Sequence, residues 1–231
     1  METIHQWNIL IHITLGTIAL GLGLYILVRT KGTGHHKRLG KLFLILMSGI
    51  VFTALIGSVL FNFRPFLFIL TLTAFYTSYM GMRVLHLHGK RPLAWDVSIM
   101  GVTLALLLIY PFFEPYEQVD SKNTPVLIAT VTNLVLNILF DLGKLVYPLQ
   151  WLKRTVIQDH IVRMISSFSA LLSAFSANVL PKYLMPYSQL IPSALCILLM
   201  IYFIQSRQRK SRKSLIFSQL KKLSFFRNSL D

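Results

Sequence analysis

The chain has 231 residues, of which 54% are hydrophobic and only 13% charged, with a formal charge of +15. That composition belongs to the membrane class rather than to soluble domains. The charge does not point to nucleic acid, because the basic residues sit at the ends of apolar runs and in the tail, where the positive-inside rule places them. The one cysteine, Cys196, excludes an intramolecular disulfide and a thiolate metal cluster.

Seven apolar runs follow in order, each near the ~20 residues that carry a helix across a ~30 Å hydrocarbon core. The first, Trp7–Val28, has no basic stretch before it and no A-x-A site after it, so it is expected to be retained rather than cleaved. It carries His12 near its start. Lys31 to Gly34 break the chain, and a second run spans Lys41–Phe61. Arg64-Pro65 makes a tight turn into the third, Pro65–Leu85, on which Tyr76, Tyr79, Arg83 and His86 share a face. Arg83 either meets Asp96 or Asp141, or snorkels to the membrane boundary.

The fourth run is Leu93–Phe113. The loop from Pro111 to Pro125 holds Glu114, Glu117 and Asp120 and reads as solvated. The fifth, Pro125–Pro148, carries Thr130, Asn133, Asn137, Asp141 and Lys144 within roughly 80° of one another on a helix. A polar stripe in a membrane helix is expected to face the bundle interior or water. It serves either as interhelical glue or as a polar path, and Asp141 and Lys144 are spaced to pair.

The sixth run, His160–Leu180, is rich in small residues. Ser166, Ala170 and Ala174 recur every fourth position, with Ser169, Ser173 and Ala177 beside them. Such faces let helices approach closely in lipid, which predicts this helix at the bundle centre. The first run has weaker versions in Thr17/Gly21 and Ala19/Gly23. The seventh run, Leu184–Gln205, completes a domain over 1–206. The tail, 207–231, is basic, and Ile216, Leu220, Leu223, Phe226 and Leu230 recur at helical spacing. It reads either as an amphipathic segment on anionic lipid or as a disordered arm.

Twenty of the 23 basic residues fall in the loops after runs one, three and five and in the tail; Arg64, Lys122 and Lys182 are the exceptions. This predicts an outside N-terminus and a cytoplasmic C-terminus, in a multi-pass protein of the inner (plasma) membrane. At the same depth on the cytoplasmic side lie His35, His36, His86, His88 and His160, with Asp96, Asp141 and Asp159. A divalent metal could take His36, His160, Asp96 and Asp141 as ligands, and a single haem could take imidazoles from His36, His160 or His86. His35, His88 and Asp159 could instead simply face water. His5 and His12 share one helix and cannot sandwich a haem between them, so His12 is expected to bond a neighbouring helix.

Four segments resemble a family of uncharacterised bacterial multi-pass membrane proteins, a domain of unknown function. "LIHITLGTIALGLGLYILVRTKGTGHHKRLGKLFLILM" is similar to that family's opening, with His12, Gly16, Gly23, His36, Gly40 and Met47 on its pattern. "FYTSYMGMRVL" and "PLAWD" place Tyr76, Arg83 and Asp96, although Val97 stands where an aromatic often follows the Asp. "DHIVRMISSFSALLSAFSANVLP" places His160, Met164, Ala170, Ala174, Phe175 and Asn178. The resemblance covers most of residues 5–205 and implies no activity.

The expected architecture is an all-α integral membrane bundle of seven helices. The working function is a polar His/Asp site near the cytoplasmic side that holds a metal or one haem in a redox or sensing role, with His36 and His160 converging. The alternatives are a small transporter or proton path along helix five, and a structural or assembly protein without ligand. A metal-dependent hydrolase is disfavoured, since such seven-helix enzymes show an H-x-x-x-H pair on a late helix and the seventh run has no His.

Overall fold

The computed structural model describes residues 2–61, 64–109, 124–184 and 186–228. Among them the regular structure is all helical, and the chain is an all-α membrane bundle. The helices are α1 (Glu2–Val28), α2 (Gly34–Ile56, with a π-helical turn over Gly57–Phe61), α3 (Pro65–Leu87) and α4 (Ala94–Ile109). After them come α5 (Thr124–Gly143), α6 (Leu149–Val179), a 3₁₀ turn at Lys182–Leu184 and α7 (Tyr187–Asn228). The predicted acidic loop with Glu114, Glu117 and Asp120 lies outside the described residues.

Five of these helices are long and apolar enough to cross a bilayer: α1, α2 with its π turn, α5, α6 and the first part of α7. Their outer faces carry large apolar side chains such as Ile45, Phe52, Leu136 and Leu198, all exposed. Contiguous apolar surface of that extent belongs against lipid, not water.

Local chemistry explains the boundaries. Thr33 caps α2 by accepting the His36 backbone N–H at 3.2 Å. The helix therefore begins seven residues earlier than the hydrophobic run, because a cap rather than hydropathy starts it. Pro65 occupies the first turn of α3, where its missing N–H costs nothing. At the other end His88 (φ 50°) and Gly89 (φ 77°) turn left-handed and stop the helix.

The largest departure from the hydrophobic runs is at α6. It starts at Leu149, behind Pro148, eleven residues before His160. Its first three turns are polar and would not register as membrane-apolar. They stay helical because α6 packs against α3, α7 and α1. The small residues permit this. Ser78 and Ser167 hydroxyls meet at 2.6 Å between α3 and α6, and Ser173 and Ser193 at 2.9 Å between α6 and α7. At Gly23 of α1 a Cβ would stand 2.5 Å from the Phe168 ring, so α1 closes on α6 only with glycine there. Of the two small pairs on α1, Ala19/Gly23 is buried, whereas Thr17 and Gly21 are exposed.

Two cores flank α3. One joins α1, α2, α6 and α7 through Phe43, Met47, Ile165, Phe168 and Cys196. The other joins α3, α4 and α5 through Ile69, Tyr76, Met100, Leu134 and Ile138. Beyond its membrane-crossing part, α7 continues as helix through the basic tail to Asn228.

Candidate functional site

The end of the bundle bearing the basic loops holds a closed ring of four buried charges. Asp141, in the last turn of α5, accepts Arg163 Nη2 and Lys144 Nζ, each at 2.7 Å. Asp159 of α6 accepts Arg163 Nε at 2.8 Å and is also bonded by Lys144 Nζ. Each carboxylate thus touches both cations, and each cation both carboxylates. The second oxygen of Asp141 accepts the Tyr76 hydroxyl of α3 at 2.6 Å. Arg163 is 0% exposed and Asp141 1%, so neither draws on bulk water.

The local spacing makes the ring possible. Asp159 and Arg163 are one turn apart on α6, and Asp141 and Lys144 flank the α5 terminus. The ring has no net charge, which is what a group of ions in a low-dielectric interior requires. The Arg163 and Lys144 cations also lie near the Phe140 ring, at 6.0 and 4.9 Å from its centroid. Arg163 Nη1 finds no hydrogen-bond partner among the described residues.

A second cluster sits beside it. Arg83 of α3 grips Asp96 with two bonds, Nε to Oδ1 at 2.6 Å and Nη2 to Oδ2 at 2.9 Å. Tyr79 donates to Asp96 Oδ1 at 3.1 Å, and the Leu93 backbone N–H to Oδ2 at 2.9 Å. The last bond is the reach-back half of a capping box at the start of α4. A gap of about 20 Å³, room for about one water, separates the two clusters.

The opposite half of the bundle is open. A cavity of about 520 Å³ lies between α1, α2, α3 and α6, running from His5 and Arg64 at the bundle end to Leu20, Met47 and Ala74 at mid-depth. His5 to Leu20 is fifteen residues of helix, or about 22 Å. Inside it His12 Nδ1 lies 2.8 Å from the Thr53 hydroxyl, which also lies 2.9 Å from the Gly49 and Ile50 carbonyls of α2. Asn8 donates to the Thr53 carbonyl at 3.1 Å.

The residues nominated from sequence separate into groups. Asp96 and Arg83 pair with each other. Asp141 and Lys144 pair as their spacing suggested, and His12 bonds α2. Asp96 and Asp141 are each engaged by basic groups, so His36, His160, Asp96 and Asp141 do not form one ligand set. Among the described residues no three His, Cys, Asp or Glu side chains are grouped as a metal requires. His86 is exposed and turned onto its own helix, its Nδ1 3.0 Å from the Met82 carbonyl.

The stripe on α5 is not one interior face. Leu134, Ile138 and Asp141 point inward, while Asn133 is exposed and Asn137 half-buried. Asn137 donates to the Asn133 carbonyl at 2.7 Å and to its side chain at 3.1 Å. The arc of the stripe is wide enough that its middle turns outward while its lower end enters the bundle. Asn133 and Asn137 therefore line no interior path.

His160 Nδ1 donates to the Gly81 carbonyl at 2.8 Å, which leaves Nε2 with the lone pair in the neutral ring. His36 Nδ1 is buried with no hydrogen-bond partner among the described residues.

Arg163 and Asp159 were missed as site residues. Arg163 reads as one more loop cation and Asp159 as a water-facing carboxylate, because the apolar run starts only at His160. The available signal was their i,i+4 spacing immediately beside a small-residue face.

Fold and site together define a polytopic membrane protein with a charge ring closing one half and a cavity opening the other. Comparison with protein-family models, curated proteins and solved structures finds no match.

Proposed function

We propose that this protein is a small carrier of the bacterial cytoplasmic membrane, its basic loops and tail in the cytoplasm and its cavity open to the outside. One observation carries the reading. The cavity occupies one half of the bundle, from its end to mid-depth, and the other half is tied together by ion pairs that join α3, α4, α5 and α6. Ionisable groups are retained within membrane bundles chiefly for function, and pairs that rearrange are a means of alternating access. The orientation rests on the distribution of Lys and Arg. The basic continuation of α7 supplies contact with anionic lipid of the inner leaflet.

The test uses cysteine accessibility. With Cys196 replaced by Ser, a cysteine at Thr71 in the cavity should react with an impermeant maleimide added outside intact cells and not with reagent confined to the cytoplasmic side. Opening the ring with Asp159→Asn should raise labelling from the cytoplasmic side. Labelling from neither side, or labelling indifferent to the ring, would remove the carrier reading.

A second reading has one specific support, the hydrogen bond that orients His160. A metal-bound imidazole commonly donates its other N–H to a backbone carbonyl, as His160 does to Gly81. The His36 and His160 rings offer two nitrogen ligands for a divalent transition metal, or axial ligands for one haem. Purified protein should then retain zinc or haem stoichiometrically and lose it in His160→Ala. Equal retention by both proteins would discard this site.

A further inference from the structure

We infer that the cavity takes a single-chain amphipathic anion, with its acidic head at Arg64 and its hydrocarbon chain directed toward mid-membrane. This rests on the carrier reading only for its physiological meaning; the binding claim stands on the cavity itself.

The cavity is chemically two-ended. Toward mid-depth its walls are mainly apolar, with Leu20, Met47, Ile50 and Leu70 buried there and only the neutral groups of His12, Thr17, Thr53 and Thr71 among them. At the mouth stand two features that favour negative charge. Arg64 is exposed and has no acidic partner among the described residues. It is also the N-cap of α3, where no side chain caps the helix. An uncapped helix N-terminus presents backbone N–H groups and the positive end of the dipole. His5, packed on Phe61 at 4.5 Å, also lines the mouth, its buried Nδ1 without a hydrogen-bond partner among the described residues.

The two ends differ in depth in the same way as the ligand. Arg64 lies in the turn between α2 and α3 at the end of the bundle and is exposed, so a carboxylate or phosphate held there remains hydrated. About 22 Å of cavity extends below it along α1. A volume of about 520 Å³ lies in the range of sites that hold one small ligand. A neutral apolar molecule would leave the cationic mouth unused. A small hydrophilic anion would leave the mainly apolar depth uncovered.

Binding can be measured with a fluorescent polyunsaturated fatty acid on the full chain in nanodiscs of zwitterionic lipid, with empty nanodiscs subtracted. Palmitate should compete, its methyl ester about tenfold less well, and acetate not at all. That margin corresponds to losing one charge-assisted interaction. Arg64→Gln should lower affinity for the acid about tenfold and leave the ester unchanged. Gly16 lines the cavity, and a Cβ there meets no atom within 4 Å, so Gly16→Phe should fill the space without disturbing the fold. It should abolish binding at unchanged melting temperature; Ala54→Phe, from the opposite wall, provides the same test if Gly16→Phe does not fold.

Competition by phosphatidic acid as strong as by palmitate would replace a single-chain ligand with a two-chain bilayer lipid and overturn the proposal. So would equal affinity for acid and ester, or full binding by both filled variants. Palmitate binding that follows this pattern while cysteine labelling shows no alternation would leave the ligand assignment intact and remove only transport.

Discussion

Replacing Arg163 by Met is expected to destabilise the protein by about 3–5 kcal/mol, the range for breaking one side of a buried ion pair. Arg163 contributes one of the two positive charges of the ring and contacts both carboxylates. Without it Asp141 and Asp159 face each other with only Lys144 between them, in a site closed to water. The check is a thermal or denaturant midpoint in detergent. A specific rescue distinguishes charge from packing: adding Asp159→Asn to Arg163→Met restores neutrality and should recover a large part of the loss. If Arg163→Met melts with the unaltered protein, the ring does not hold α3, α5 and α6 together. If the second substitution adds its own loss instead of recovering stability, shape rather than charge balance dominates there.

Gly89→Ala is the second large effect, and it acts through backbone alone. Gly89 turns the chain from α3 to α4 at φ 77°, where an L side chain costs about 1–2 kcal/mol. A Cβ would also stand 2.6 Å from Lys153 Cα and 2.8 Å from its nitrogen. Those atoms belong to the α6 backbone and cannot rotate aside, so the turn and α6 must separate. A combined loss of at least about 2 kcal/mol is expected. Gly32 provides the control, since it has φ 82° but open space around it. Gly32→Ala should cost only about 1 kcal/mol. Equal melting shifts for the two variants would show that the packing of Gly89 on α6 adds nothing.

The helical bundle was readable because lipid imposes a length and a hydropathy on every crossing segment. The small-residue face of α6 was readable because close packing in lipid leaves few alternatives to Gly, Ala and Ser. Reading failed where a polar helix extends past its apolar part. The first turns of α6 hold Asp159, and the start of α2 holds His36; hydropathy marks neither as helix, although Thr33 marks the second as a cap. The α5 stripe was overread because spacing on one helix gives the angles between side chains but not which of them meets a neighbour.

The sequence alone determined that this is an all-α membrane protein with its basic residues gathered at one end, since both follow from transfer energies that act residue by residue. It also marked Arg83, Asp96, Asp141 and Lys144 as chemically costly in that setting. Only the tertiary structure decided which of them pair. The partners come from different helices, as with Tyr76 and Arg163 around Asp141, and a contact across 22 or 65 residues leaves no mark in local spacing. The cavity was invisible for the same reason. It is the space that four helices leave between them, and its mouth joins His5 of α1 and Arg64 at the start of α3, which meet only once the bundle has packed.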